Sequence, residues 1–406
     1  MTNLKWTEID LDKSSKEEIL QEIEKLKDLR DYYTNLEQAT KVFLNSIYGA
    51  TGSPYFAFFN IDLAEATTLQ GQDLIKYSEK ILNRYFLEFW HKDANLHKKM
   101  KLERVSKILK EVVVYADTDS SFVSFKEILE NCDWKGTEYR IKDKLVQRTS
   151  SFKDFILAIY DLFLAEYLAK CYDAYSNKCG TQNFQNFELE KISDSGVWLV
   201  KKKYVYNTIW KDPGIDVEPL TDITAKGVEI AQSSSSKFAR ETLKNLLKYI
   251  FSKKKEFNVV EFAGILKKYK SEFKLKNIED IAMSSTVGDY EKYVLKDRET
   301  LITEKGCPIH IRGAGIYNFR LNESKYKKKY QPIRSGEKVK YYHVNTKNEE
   351  ENVFAYIPGT FPVEFAPQID YDTQFLKSII QPINRFVTAM GYNPISSQLV
   401  TSSQLF

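Results

Sequence analysis

The sequence predicts an α+β protein, on three observations. Long charged stretches with apolar residues at helical spacing alternate with short runs of β-branched and aromatic residues. The strand-like runs flank short polar turns, which suits antiparallel pairing. With 43% hydrophobic and 14% aromatic residues over 406 positions, the chain can fill the cores of two or three domains.

The first element is a helix over residues 14–48, opened by a capping box of Ser15 and Glu18 and stopped at "GATGSPY" by Gly49, Gly52 and Pro54. A second helical span covers about 62–90. A lysine-rich connector then leads to "EVVVYADTDSSFVSF", residues 111–125, where two β-rich runs meet at a polar turn. A helix follows at 152–175, interrupted by Asp161 and Glu166, so that it reads as a packed helix and not as a membrane span. Strand character returns over 184–210, a turn falls at "KDPGIDVEPL", and from about Gly227 the chain reads as mostly helical and lysine-rich.

The bulk numbers narrow the class. Lys and Arg total 60 against 56 Asp and Glu, a net charge of +4 too small by itself to argue for nucleic acid. Cys132, Cys171, Cys179 and Cys307 lack C-x-x-C spacing, which suggests neither a zinc ribbon nor a disulfide framework. Reduced thiols and a start, "MTNLKWTEID", without an apolar core point to a cytoplasmic, non-secreted protein.

Chemistry concentrates in four places. At the 111–125 turn, Asp117 and Asp119 stand two residues apart. Taken alone they read as a solvated loop tip, because carboxylates cost little on an exposed turn. The alternative is a divalent-metal site, since hard oxygen ligands at one corner suit such an ion. In "KVFLNSIYG", Lys41, Asn45 and Tyr48 fall at i, i+4 and i+7 of one helix, hence on one face. In "FELEKI", Glu188 and Glu190 alternate onto one side of an expected strand. In "KKKYVYN", Lys201, Lys202 and Lys203 run into Tyr204; a lysine run is usually a solvated surface, but beside a carboxylate site it suits a phosphate backbone.

In this order the set resembles the polymerase half of a family B DNA polymerase. "KVFLNSIYG" is similar to the fingers-helix motif, "YADTDS" to the Tyr-Gly-Asp-Thr-Asp-Ser catalytic hairpin, and "KKKY" to the Lys-Lys-Arg-Tyr motif that grips new duplex. "KGVEIAQSSSSK", "CPIHIRG" and "SSQLF" resemble the thumb and tail of the polymerases of large tailed bacteriophages. The resemblance implies a right-hand architecture: a helical remnant of the fingers at residues 1–53, an antiparallel β palm with helices at 54–227, and a mainly helical thumb with a C-terminal tail at 228–406. It implies DNA synthesis from dNTPs with two Mg²⁺ ions, Mn²⁺ being the substitute. Asp119 is then the main metal ligand, Asp117 a supporting carboxylate and Glu190 a further one. Lys41 meets the triphosphate, and Asn45 and Tyr48 line the nascent base pair. Lys201, Lys202, Lys203, Tyr204, Lys226 and Gly227 contact primer–template DNA. Leu405 and Phe406 form a tail for a sliding clamp, with fraying as the alternative.

Three departures stand out. Ala116 replaces the family's glycine, which is tolerated if φ is negative. Lys203 replaces arginine, exchanging a planar fork for a point charge. Upstream of the fingers helix, about forty residues hold no Asp-Ser-Leu-Tyr-Pro-Ser, the motif that carries the family's other catalytic aspartate. The expectation is therefore the C-terminal subunit of a split polymerase in a phage-infected cell, active with a separate N-terminal partner. Alternatives are a non-catalytic DNA-binding or processivity subunit and a fragment of a longer chain.

Overall fold

The computed structural model describes residue 10 and residues 13–141, 144–253, 256–295, 302–348 and 351–396. It forms two compact units, one built from residues up to Lys92 with Ser106–Ile128, the other from Asp93–Val105 with residues from Leu129 onward. Both combine helices with small antiparallel sheets, as expected for an α+β chain. Among the described residues no helix is long and apolar enough to cross a membrane.

In the first unit, helix α1 (Lys16–Thr51) opens on the expected capping box: Ser15 Oγ accepts from the Glu18 amide while the Glu18 carboxylate takes the Ser15 N–H at 2.8 Å. The helix runs through Gly49 and is closed by Gly52, three residues later than the sequence suggests. Helix α2 (Ile61–Arg84) is capped by Asn60 and continues into a π-helical turn, Tyr85–Phe89, and a 3₁₀ turn, Trp90–Lys92. Its last turns bury Ile81, Leu82 and Asn83. Phe86, fully buried, packs edge-on against Phe125 with ring centroids 5.8 Å apart. The strands β1 (Val113–Asp117) and β2 (Ser120–Val123) form an antiparallel hairpin with a bulge at Val114.

The two helices of this unit differ in what covers them. No residue of α1 is buried, although it carries Tyr33, Leu36, Phe43, Leu44 and Ile47, each at least 45% exposed. An apolar stripe of that length left open to solvent is unusual for a helix of 36 residues.

The second unit begins with α3 (Ala94–Met100) and the hairpin β3 (Thr137–Ile141) and β4 (Lys144–Arg148). Helices α4 (Phe152–Ile159) and α5 (Ala165–Lys178) are joined without a break by a π-helical turn, Tyr160–Leu164. Asp161 on that turn accepts from the Tyr139 hydroxyl at 2.6 Å and from Arg148 at 2.9 Å, tying the hairpin to the helix. A sheet follows, with β5 (Lys191–Val200), β6 (Lys203–Lys211), β7 (Ile215–Asp216) and β8 (Ile223–Lys226), the last paired to β6.

The strand expected across 184–190 is absent; β5 starts only at Lys191. Local polar contacts account for it. The Gln185 amide donates to Asn183 Oδ1 at 2.8 Å, and Asn186 Nδ2 to Glu188 Oε1 at 2.6 Å. Side chains that satisfy nearby groups in this way compete with a β-ladder. Glu188 and Glu190 therefore do not alternate along a strand.

Beyond Gly227 come the helices α6 (Lys237–Lys253), α7 (Val259–Lys274), α8 (Ile309–Glu323) and α9 (Gln381–Ala389), and with them a sheet, packed against α8, that the sequence reading lacks. Its strands β9 (Met283–Thr286), β10 (Lys338–His343) and β11 (Val353–Tyr356) pair in the order β11-β10-β9. All four residues of β11 are buried, so period-2 alternation is missing there. Gly313 of α8 lets this sheet approach: a Cβ would stand 3.0 Å from the Ala355 amide nitrogen.

Candidate nucleotidyl-transfer site

Position and rigidity come first at the hairpin. Asn83 Oδ1 accepts the Val112 and Val113 N–H groups at 2.9 and 3.0 Å, so α2 fixes where β1 begins. The strands register Tyr115 with Phe122, Ala116 with Ser121 and Asp117 with Ser120. Only Thr118 and Asp119 remain to turn the chain. The Asp119 N–H bonds the Asp117 carbonyl at 2.7 Å, and Thr118 is left-handed at φ 56°, an uncommon state for a β-branched residue. Backbone of this kind clusters at functional sites. Ala116 pairs within β1 and is not among the positive-φ residues, so the condition for tolerating its methyl is met.

The two carboxylates have different surroundings. Asp117 is half-buried and takes hydrogen bonds from the Tyr115 hydroxyl and from Thr118 Oγ1, each at 3.1 Å. Asp119 is exposed, and among the described residues its carboxylate has no hydrogen-bond or ion-pair partner. Its oxygens are available to an external cation. The supporting hydroxyls of Tyr115 and Thr118 escaped the sequence reading, though their position beside the aspartates was a visible cue. Hard oxygen donors of this kind fit Mg²⁺. Among the described residues no three His, Cys, Asp or Glu side chains gather into a ligand set.

On α1, Lys41 and Asn45 share an open helix face with Tyr33, Leu36, Glu37 and Leu44. Tyr48 is held by a 2.7 Å hydrogen bond between its hydroxyl and Thr68 of α2. The i, i+4, i+7 spacing thus gives a helix face on which Lys41 is exposed and Tyr48 is oriented by the neighbouring helix.

The remaining expected site residues belong to the second unit. Glu190 directly precedes β5, and its carbonyl accepts the Asp212 N–H at 2.9 Å, extending the ladder by one bond. Tyr160, whose phenol is pushed above its ordinary pKa by burial, touches the Leu189 backbone and anchors this segment. Lys201 and Lys202 form the turn between β5 and β6, Val200 pairing with Lys203. Trp198, Tyr204 and Lys226 lie in one cross-strand row of β5, β6 and β8, with Trp198 and Tyr204 stacked at 6.4 Å. The lysine run, Tyr204, Lys226 and Gly227 are therefore brought together at one end of this sheet. Leu405 and Phe406 lie outside the described residues.

Residues 12–163 match the family described as DNA polymerase family B. The chain is 26% identical over 372 residues to the DNA-directed DNA polymerase of Enterobacteria phage T4, an alignment that covers 86% of this chain and 36% of the phage protein. With the DNA-directed DNA polymerase of Escherichia phage RB69 the identity is 24%, with the same coverage of both chains. The DNA polymerase 037L of Invertebrate iridescent virus 6 is 26% identical over 68% of this chain and 19% of its own length. The chain thus spans 36% of the length of the phage relatives.

Proposed function

We propose, from the match of residues 12–163 to DNA polymerase family B and the likeness of the chain to its phage members, that it carries the nucleotidyl-transfer hairpin of a template-directed DNA polymerase. The observation that carries the reading is the hairpin itself: an Asp119 whose carboxylate has no partner among the described residues, on a two-residue turn beside an Asp117 buttressed by hydroxyls. Asp119, with Asp117 in support, would hold Mg²⁺ at this corner. Mg²⁺, when bound, supplies electrostatic activation of the primer 3′-hydroxyl and of the leaving pyrophosphate. Lys41 neutralises charge on the incoming triphosphate, while Asn45 and Tyr48 shape the nascent base pair. Lys201, Lys202, Lys203, Tyr204, Lys226 and Gly227 hold the primer–template duplex. In this reading fingers, palm and thumb divide at residues 53 and 227, and the tail at Leu405 and Phe406 seats on a sliding clamp.

The proposal includes a second polypeptide. A two-ion site takes carboxylates from both sides of the ions, and the hairpin offers one side. The open apolar stripe of α1 and the half-exposed Val114 on β1 are surfaces suited to a large, core-like interface. We assign them to a separate N-terminal polymerase chain that brings the missing aspartate. Primer extension tests this with the chain alone and mixed with that N-terminal region, produced separately. The mixture should form a 1:1 complex and extend primers with dNTPs and Mg²⁺, while the chain alone adds none. Robust extension by the chain alone would overturn the two-chain reading.

A further inference from the structure

The lysine corner contains a lock that the proposed chemistry does not use. Lys202 sits in the left-handed region at φ 64°, where a turn ordinarily takes glycine or asparagine. Gly227, itself at φ 63°, lies so close that a Cβ there would stand 2.0 Å from the Lys202 carbonyl oxygen and 3.1 Å from Lys203 Cγ. Only glycine allows this approach. On the far side, Gln232 Nε2 donates to the Gly227 carbonyl at 3.0 Å. Three segments are thereby joined: the β5–β6 turn, the end of β8, and the turn before α6.

What the lock holds is a group of like charges. Lys201, Lys202, Lys203 and Lys226 are all exposed, and among the described residues no carboxylate forms an ion pair with Lys201, Lys203 or Lys226. Like charges held together destabilise one another unless a polyanion neutralises them. A lysine in the left-handed region breaks local preference, and it is pressed against a glycine whose carbonyl is held by the Gln232 amide. Backbone of this kind clusters at functional sites.

We propose that Gln232 is a positioning residue for duplex DNA: through Gly227 it fixes the Lys202 turn so that these ammonium groups meet successive phosphates in register. The proposal rests on the duplex-binding reading of the corner and extends it to a residue that touches no DNA itself. It is tested in the full chain with a recessed primer–template duplex, by fluorescence anisotropy across a series of KCl concentrations, with thermal unfolding alongside. Gln232→Ala and the isosteric Gln232→Glu should each weaken binding about threefold to tenfold. Each should also flatten the dependence of log K on log[salt] by about one phosphate contact, with the thermal midpoint unmoved. If both variants bind like the parent while Lys201→Ala/Lys203→Ala binds weakly with a reduced slope, the positioning role is wrong and the duplex reading stands. If the lysine variant is also unchanged, both are wrong. A lowered thermal midpoint with an unchanged salt slope would reduce Gln232 to a structural residue and overturn the proposal.

Discussion

Asp119→Ala should lower the rate of primer extension by about 10³-fold or more in the reconstituted complex, while primer–template affinity stays within about twofold. The size follows from the role assigned: a ligand removed from a site whose catalysis is almost wholly electrostatic leaves little behind. The selectivity follows from the geometry. The Asp119 carboxylate has no partner among the described residues, so its loss leaves the pairing of Asp117 with Ser120 and the support from Tyr115 intact. The lysines assigned to duplex binding lie in the other compact unit. Asp117→Ala should damage the rate less and the hairpin more, because it removes the acceptor of two hydroxyls. Single-turnover extension and a separate DNA titration check both effects; extension by Asp119→Ala near the parent rate would remove the hairpin from the mechanism.

Lys41→Ala should raise the KM for dNTP and lower kcat, for a combined loss of about 10²-fold in kcat/KM, with unchanged affinity for primer–template. Lys41 is exposed on one face of α1 and has no ion-pair partner among the described residues, so its charge is available to a triphosphate. Steady-state kinetics in dNTP separates the roles. A loss confined to DNA affinity would mean that this face of α1 meets the duplex instead.

The legible parts of the chain were those whose physics is local. The Ser15–Glu18 box, the hairpin turn at Thr118 and Asp119, and the helix over 152–175 each announce themselves within a few residues. The π-helical turn at Tyr160–Leu164 left no mark on the helical pattern, since one extra backbone residue changes no propensity. Two misreadings have separate causes. The 184–190 segment has strand-like spacing, but its asparagines satisfy the backbone and adjacent carboxylates first, and Phe187 stacks on Tyr172 at 4.9 Å. The sheet of β9, β10 and β11 is hidden because β11 is buried throughout, and a short apolar run does not declare its period. Within the candidate site, the acids and the lysines were singled out from the sequence. It could not find Asn83, 29 residues before the Val112 amide it binds, nor the Gln232–Gly227–Lys202 contact, because both depend on tertiary neighbours.

The central claim is that the Asp117–Asp119 corner holds a divalent metal during nucleotide addition, and a change of metal preference tests it most directly. Thiolate is a softer ligand than carboxylate and favours softer ions over Mg²⁺. In the reconstituted complex, Asp119→Cys should be nearly inactive with Mg²⁺, and added Cd²⁺ or Mn²⁺ should restore single-nucleotide incorporation by about tenfold or more relative to their effect on the parent. An unchanged ratio of Cd²⁺- or Mn²⁺-supported to Mg²⁺-supported rates between Asp119→Cys and the parent would contradict the claim.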